Sequence, residues 1–336
     1  MNIIIKDISY YLPQQIVTNE DLAKENPHWD MDAVEERVGV KSRFIASKDE
    51  TALDLSVKAC KRLFQVYPDA PDKVDGIIFC TQSNDYIMPP NSCILHKELG
   101  LPEAVMAFDF NLACSGYIYG LQLARCLIYS SAARNILLVN ADTYSKYIAK
   151  DDRSIRVLFG DAAAVSWITL TEEDAGIVDI LCATSGIHYD KFIIHAGGCR
   201  MPKTADTSTL KTDSSGNQRS AENIHMDGMG ILGFVNSRVP VQVRQILTRN
   251  NLTIDDIDLF IFHQASNIAL DSLMNLLKIP SDKVYRNIAE IGNTVSASVP
   301  IALKEAAEKR LICRGSTVLL CGFGVGLSWG TAIVKI

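Results

Sequence analysis

The sequence contains no run of about 18 uninterrupted apolar residues, the length that a membrane-spanning helix needs. Its first residues, MNIIIKDISYYLP, also lack the basic segment and the cleavable apolar stretch of a signal peptide. We interpret this N-terminal segment as a β-strand, and we expect a cytoplasmic protein that does not insert into membranes.

An excess of positive charge is absent as well. The chain has 33 Lys and Arg residues against 39 Asp and Glu residues, which gives a formal net charge of −6 at pH 7. This balance argues against nucleic acid as a partner that is recognised by bulk electrostatics.

The nine cysteines follow neither a disulfide pattern nor a metal-binding pattern. Their number is odd, they are scattered along the chain, and no two form a CxxC motif or share a ligand spacing with histidine. We therefore expect reduced, mostly buried cysteines and no metal site.

Strand-like apolar runs alternate with amphipathic helical segments along most of the chain, which is typical of an α/β protein. The two halves of the chain also resemble each other in three places, in the same order and at nearly the same offset. The paired segments are 74–83 with 257–266, 111–128 with 293–312, and 134–145 with 315–326.

This repeat predicts a duplicated core with pseudo-two-fold symmetry, built from an N-terminal half, 1–175, and a C-terminal half, 176–336. Equivalent strand-to-helix turns of the two halves would lie on one face, at the carboxyl ends of the strands. We therefore expect Cys114, His263 and Asn293 to meet at one site.

Segment 199–224 does not fit the repeat. It is rich in Ser, Thr, Asp, Lys and Gly and poor in apolar residues. We interpret it as a surface insertion, which lies over the site entrance, lies at a subunit edge, or has no role.

Cys114 follows an apolar strand and precedes a helical pattern in which Tyr117, Leu121, Ala124 and Ile128 share one face. At a helix N-terminus the helix dipole and the free N–H groups stabilise a thiolate, so the pKa of this cysteine should fall. Many buried cysteines also flank helices, and position alone does not distinguish Cys114 from them.

Three other motifs are ambiguous on their own. His263 follows the apolar strand LFIF, where a histidine is more often a core or loop residue than a catalytic one, and Asn293 lies in GNT, a routine turn and helix cap. The glycine-rich GFGVGLSWG (322–330) lacks the lysine of a phosphate-binding loop. Its glycines would instead let backbone N–H groups approach a ligand, as in an oxyanion hole.

Taken in order, NLACSGYIYGL around Cys114, HQAS at His263, GNTVSASVP at Asn293 and GFGVGLSWG resemble the β-ketoacyl-acyl carrier protein synthase III enzymes of the thiolase superfamily. FGDAAA and the N-terminal TNEDL…RVGVKSR match as well, so the resemblance covers the chain apart from the insertion. It implies an α/β fold with a thiolase-like duplicated αβαβα layered core, a homodimer, and no metal or redox cofactor.

The resemblance also implies a decarboxylating Claisen condensation. Cys114 would accept the acyl group of an acyl-CoA, and His263 and Asn293 would bind the thioester carbonyl of malonyl-acyl carrier protein as CO₂ leaves. The N–H groups of Cys114 and Val325 would form the oxyanion hole, with Phe323 as a hydrophobic wall. The 3-oxoacyl-acyl carrier protein product would serve fatty acid initiation or a specialised acyl, secondary-metabolite or surface-glycan pathway.

For binding, the resemblance assigns contacts with CoA or the carrier to Arg37, Arg153 and Ser266, the last of which replaces a usual asparagine. Met88 matches the position at which a partner subunit closes the acyl pocket. Two other positions depart from the family, because Ala33 replaces a usual indole and Ile268 replaces a usual arginine.

Two other functions fit part of the pattern. One is a non-catalytic thiolase-fold subunit that binds acyl chains or a partner, although such a subunit would not need Cys114, His263 and Asn293 together. The other is a Cys-His-Asn hydrolase of the papain kind, which shares the residue types but differs in the sequence around its cysteine.

Overall fold

The computed structural model describes residues 2–336. Within this range the strands are β1 (Asn2–Tyr11), β2 (Gln15–Thr18), β3 (Ser42–Ile45), β4 (Gly76–Cys80), β5 (Met106–Phe110), β6 (Asn135–Asp142), β7 (Ala162–Thr171), β8 (Gly176–Thr184), β9 (Phe192–Ile193), β10 (Lys211–Thr212), β11 (Gln218–Arg219), β12 (His225–Met226), β13 (Leu259–Phe262), β14 (Thr317–Gly324) and β15 (Ser328–Lys335).

The α-helices are α1 (Asn19–Glu25), α2 (Met31–Val38), α3 (Ala52–Val66), α4 (Ala70–Lys73), α5 (Asn91–Glu98), α6 (Gly116–Tyr129), α7 (Arg153–Arg156), α8 (Gly228–Arg249), α9 (Asn267–Leu277), α10 (Ile288–Ile291) and α11 (Ser298–Glu308). Short 3₁₀ segments occupy 144–146, 186–191, 281–283 and 295–297. None of the helices within residues 2–336 combines the length and the apolar character of a membrane-spanning segment.

Two sheets repeat one topology. The first has the strand order β1-β7-β6-β4-β5 and the second has the order β8-β15-β14-β13. In each sheet the first three strands are antiparallel neighbours and the third and fourth are parallel. A parallel bridge between Phe260 and Val284 lies where β5 lies in the first sheet. The predicted duplication is confirmed, since β4 and β13, β6 and β14, and α6 and α11 are the repeated segments.

The sheets and helices form five layers. Ile118 of α6, Val299 of α11, Leu138 of β6 and Leu320 of β14 belong to one buried cluster, which places α6 and α11 between the two sheets. A second cluster joins α3 and α5 to the outer face of the first sheet, and a third joins α8 and α9 to the outer face of the second. This is the αβαβα thiolase-like arrangement that the family resemblance implies.

Burial on both faces explains the continuous apolar strands. Adjacent residues of β6 point to opposite faces, so Leu138 enters the central cluster while Leu137 enters the outer one. The predicted inner face of α6, from Tyr117 to Ile128, is buried as expected. Because both sheets share the central cluster, the division at residue 175 stays a prediction.

Segment 199–224 lies outside both large sheets, as expected for an insertion. Most of its residues are exposed, and it contains the short hairpin β10–β11. Three of its residues, Asn217, Ser220 and Ile224, are nevertheless buried. The C-terminal part of this segment is therefore packed against the rest of the protein.

Candidate active site

Cys114 lies two residues before α6, in the turn after β5, and only 3% of its surface is exposed. The N–H of Gly116 donates a 2.7 Å hydrogen bond to the carbonyl of Ala113 and closes this turn. The Ser115 and Ser328 hydroxyls, 2.7 Å apart, connect the turn to β15. The predicted position beside a helix N-terminus is confirmed.

Two glycines of β14 bring its backbone against Cys114. A Cβ atom on Gly322 would lie 2.5 Å from the Cys114 carbonyl oxygen, and one on Gly324 would lie 2.9 Å from Cys114 Sγ. Any larger residue would have to displace the cysteine turn. The backbone N–H groups of Cys114 and Val325 both reach the thiol. An oxyanion that forms here would meet two preorganised donors.

Burial reverses the expected ionisation of Cys114. Desolvation is the largest effect on the pKa of the thiol and raises it, the Asp142 carboxylate raises it further, and the two N–H groups lower it only in part. The net shift is upward, so the prediction of a lowered pKa is wrong for the substrate-free site. The thiol carries its proton at neutral pH and must lose it during acyl transfer.

His263 directly follows β13 and is 1% exposed. Its ring stands edge-on to Phe323, with ring centres 5.6 Å apart. Burial lowers the pKa of the imidazole to about 3, so the ring is neutral at neutral pH. Its Nδ1 has no hydrogen-bond partner within residues 2–336. Since Phe323 lies between Gly322 and Gly324, the contact connects His263 to the backbone that touches Cys114.

Asn293 is 3% exposed and is held through its backbone and its side chain. Asn293 forms a parallel β-bridge with Phe159. The backbone carbonyl of Asn293 accepts a hydrogen bond from the N–H of Gly160 at 3.0 Å. Its side-chain oxygen accepts the N–H of Val295 at 3.0 Å, so its NH₂ group is the side-chain donor. The predicted strand-to-helix turn is wrong in one respect, because α10 rather than a strand precedes Asn293.

The predicted carrier-binding residues lie on different elements. Arg37 is exposed in the last turn of α2, and Arg153, half-buried, opens α7. Ser266 caps α9, and its hydroxyl accepts the N–H of Ala269 at 3.3 Å. Their contacts with CoA or a carrier stay predictions.

The two other positions that depart from the family are exposed. Ala33 is exposed on α2, and Ile268 is 39% exposed on α9. Trp29, the nearest indole in sequence, is buried in a small cluster with Leu22 and Val157. Trp29 therefore does not replace the indole that is missing at Ala33.

Segment 199–224 is fastened to the stretch that precedes Arg153. The Arg219 guanidinium lies 2.7 Å from the carboxylate of Asp152, which is 1% exposed. The N–H of Ile224 donates to the carbonyl of Tyr147 at 3.1 Å, and Ile224 belongs to the same buried cluster as Cys114. The insertion thus forms part of the surroundings of the candidate site.

Two family profiles match this chain. The profile described as 3-oxoacyl-[acyl-carrier-protein (ACP)] synthase III matches residues 108–186, and its C-terminal counterpart matches residues 247–336. The β-ketoacyl-[acyl-carrier-protein] synthase III of Caldanaerobacter subterraneus subsp. tengcongensis is 35% identical over 328 residues, which cover 97% of this chain and 95% of the relative. The chain belongs to the β-ketoacyl-[acyl-carrier-protein] synthase III family.

Solved structures agree with this assignment. A crystal structure of a 3-oxoacyl-(acyl-carrier-protein) synthase III matches with a TM-score of 0.97 and 38% identity, covering 100% of both chains. The priming β-ketosynthase of the R1128 polyketide pathway matches with a TM-score of 0.86 and 27% identity, covering 100% of this chain and 96% of that one. This synthase III family member is an acyl-transferring condensing enzyme.

Sequence reasoning missed two buried residues beside the site. Asp142, at the end of β6, accepts a 2.6 Å hydrogen bond from the hydroxyl of Ser296, three residues after Asn293. The internal repeat was a usable signal, because its alignment makes Ser296 the counterpart of Cys114.

Proposed function

We propose that this enzyme transfers an acyl group from an acyl-CoA to Cys114 and condenses it with malonyl-acyl carrier protein. CO₂ and a 3-oxoacyl-acyl carrier protein are released. The observation that carries the proposal is the meeting of the Cys114 thiol with the N–H groups of Cys114 and Val325. Two N–H donors at this position would stabilise the oxyanion of a tetrahedral thioester intermediate.

In the first step the Cys114 sulfur attacks the thioester carbonyl of the acyl-CoA. The developing oxyanion accepts hydrogen bonds from the two N–H groups, the bond to the CoA sulfur breaks, and CoA leaves as a thiol with the proton that Cys114 gives up. Because burial raises the pKa of the cysteine, this proton has to leave the sulfur as the substrate binds.

In the second step the malonyl thioester enters, and its carbonyl oxygen accepts hydrogen bonds from His263 and from the NH₂ group of Asn293. The carboxylate departs as CO₂, and its electron pair forms an enolate that these donors stabilise. The enolate carbon attacks the acyl-Cys114 carbonyl, and the Cys114 sulfur leaves and regains a proton. Phe323, packed against His263, gives the departing carboxylate an apolar neighbour. Neither step needs a metal or redox cofactor.

The binding positions and the insertion bear on the carrier and the pathway. Arg37 and Arg153 are cations that suit the phosphates of CoA, and the Ser266 position lies at the start of α9. The replacements Ala33 and Ile268 and the insertion 199–224 favour a specialised acyl, secondary-metabolite or surface-glycan pathway over fatty acid initiation. A priming β-ketosynthase of a polyketide pathway with the same fold supports such a role.

We also propose a homodimer in the cytoplasm. Tyr86, Ile87 and Met88, in the loop after β4, are 61%, 95% and 80% exposed, an unusual density of apolar surface. The neighbouring β5 is the edge strand of its sheet. A second copy seated on this surface would bring Met88 to the acyl pocket of its partner, where the size of that side chain would limit chain length.

The deciding experiment follows one covalent adduct. The protein is incubated with a panel of acyl-CoAs, its intact mass is recorded, and malonyl-acyl carrier protein is then added while CO₂ is measured. An acyl adduct that Cys114→Ala abolishes and that malonyl-acyl carrier protein discharges with CO₂ supports the proposal. Loss of the adduct to water alone would indicate a hydrolase, and no adduct with any donor would indicate a non-catalytic acyl-binding subunit.

The second-step residues have their own test. His263→Ala and Asn293→Ala should still form the acyl adduct but should not release CO₂ from the malonyl thioester. If both variants instead block only adduct formation, the roles given to His263 and Asn293 are wrong.

A further inference from the structure

One buried carboxylate lies beside the site without a role in the two steps above. Asp142 is 0% exposed. Its Oδ1 accepts the N–H of Gln82 at 2.8 Å, and its Oδ2 accepts the hydroxyl of Ser296 at 2.6 Å and the N–H of Ser296 at 3.4 Å. Gln82 follows β4 and Ser296 precedes α11, so this carboxylate joins the two halves of the fold.

The internal repeat shows that this contact is built into the fold. Asp142 is the last residue of the eight-residue strand β6, and Gly324 is the last residue of the eight-residue strand β14, its counterpart. Ser296 is the counterpart of Cys114, because the Ser298 N–H donates to Val295 as the Gly116 N–H donates to Ala113. The glycine therefore leaves room for the thiol in one half, and a carboxylate binds the hydroxyl at the equivalent place in the other.

Ser296 belongs to the turn that carries Asn293. The side-chain oxygen of Asn293 is fixed by the N–H of Val295, the residue before Ser296. We propose that Asp142 is a positioning residue for condensation, which fixes the Asn293 turn against the strand ends beside Cys114 by holding Ser296. This inference rests on the proposed role of Asn293 in the second step.

The electrostatic surroundings of Asp142 give a second readout. Burial raises the pKa of Asp142 to about 7, although hydrogen bonds from Ser296 and Gln82 oppose the rise. Its charge in turn raises the pKa of Cys114. The titratable groups that face it are Cys80, Cys114, Tyr144, Tyr147 and Asp161, none of which is a cation.

The test compares Ser296→Ala and Asp142→Asn with a matched control, Ser56→Ala. Ser56 is also a buried serine with one 2.7 Å hydrogen bond, but it lies in α3, away from the site. We expect acyl adduct formation in both site variants within about three-fold of the natural protein, and CO₂ release lower by about 10-fold or more, since small displacements of an orienting group have effects of this size. Ser56→Ala should change neither rate.

A purely structural role would not alter the ionisation of the thiol. Alkylation of Cys114 by iodoacetamide at pH 8 should be faster in Asp142→Asn than in Ser56→Ala, because a negative charge that raises the pKa of the thiol is removed. An unchanged alkylation rate, an equal loss of acylation and condensation, or an unchanged CO₂ release in Ser296→Ala would each overturn the inference. If Asn293→Ala itself still condenses, the proposed function of Asn293 is what fails.

Discussion

Gly324 stands against Cys114 so closely that a Cβ atom at this position would lie 2.9 Å from the sulfur and 2.8 Å from the Cys114 Cβ. The contact links the last residue of β14, in the C-terminal half of the chain, to the turn before α6, in the N-terminal half. The duplicated fold thus forms the candidate nucleophile site by bringing two chain segments, one from each half, to van der Waals distance.

Gly324→Ala should therefore impair both acyl transfer and stability. The added methyl group has to displace the sulfur or the β14 backbone, and we expect acyl adduct formation to fall by about 10- to 100-fold, with a stability loss of about 1–3 kcal/mol. Intact mass spectrometry after mixing with acyl-CoA measures the first effect, and urea unfolding measures the second.

Gly233→Ala is the matched control, because a Cβ atom at Gly233 in α8 would have no neighbour within 4 Å. It should leave acylation unchanged and stabilise the helix slightly. Equal acylation rates in the two alanine variants would contradict the close approach at Gly324.

The buried His263 predicts a specific pH dependence of stability. The pKa of His263 is about 3 in the folded protein and about 6.5 in an unfolded chain. Between these values the unfolded chain binds a proton that the folded protein does not, so His263 destabilises the fold increasingly as pH falls below about 6.5 and has no such effect above it. Relative to the natural protein, His263→Gln should therefore gain stability below about pH 6.5, by at most about 1.4 kcal/mol per pH unit.

Urea unfolding at pH 8, 7, 6 and 5 checks this prediction, with exposed His28→Gln as the control. The free energy of unfolding of the natural protein is subtracted from that of the variant at each pH. The raised pKa values of Asp142 and Asp161 affect both proteins equally and therefore cancel in this difference. A difference that stays constant with pH would show that His263 is not held neutral by burial.

The paired segments predicted both sheets and the central helices, because strands buried on two faces and a helix buried along one face leave clear apolar patterns. The burial of Trp29 and the raised pKa of Cys114 could not be read from such patterns, since both depend on which residues of distant segments pack around them. Asp142 was missed for the same reason, because its partner Ser296 lies 154 residues away.

The proposed homodimer predicts that a charge at the exposed apolar loop disrupts association. Ile87→Asp places a carboxylate at a side chain that is 95% exposed, so the fold of one subunit should be unaffected while a buried interface would be strongly destabilised. Light scattering after size exclusion should give twice the chain mass for the natural protein and the single-chain mass for the variant. Val66→Asp, at another exposed apolar residue in α3, should stay dimeric. A natural protein that elutes as a monomer would contradict the proposal.

Arg219→Ala should release the insertion from the site. Asp152 is buried and would lose its guanidinium partner, and an unpaired buried carboxylate is destabilising. Asp152 also accepts the hydroxyl of Ser154, so the start of α7, where Arg153 lies, should loosen with it. We expect faster hydrogen exchange in 199–224 and 147–153, a KM for acyl-CoA raised by about three- to ten-fold, and a nearly unchanged kcat, because one anchoring contact of about 1 kcal/mol is lost. Lys211→Ala, on the exposed strand β10 of the same insertion, is the control and should change neither exchange nor KM. A fall in kcat with KM unchanged would mean that the insertion acts on the chemistry rather than on donor binding.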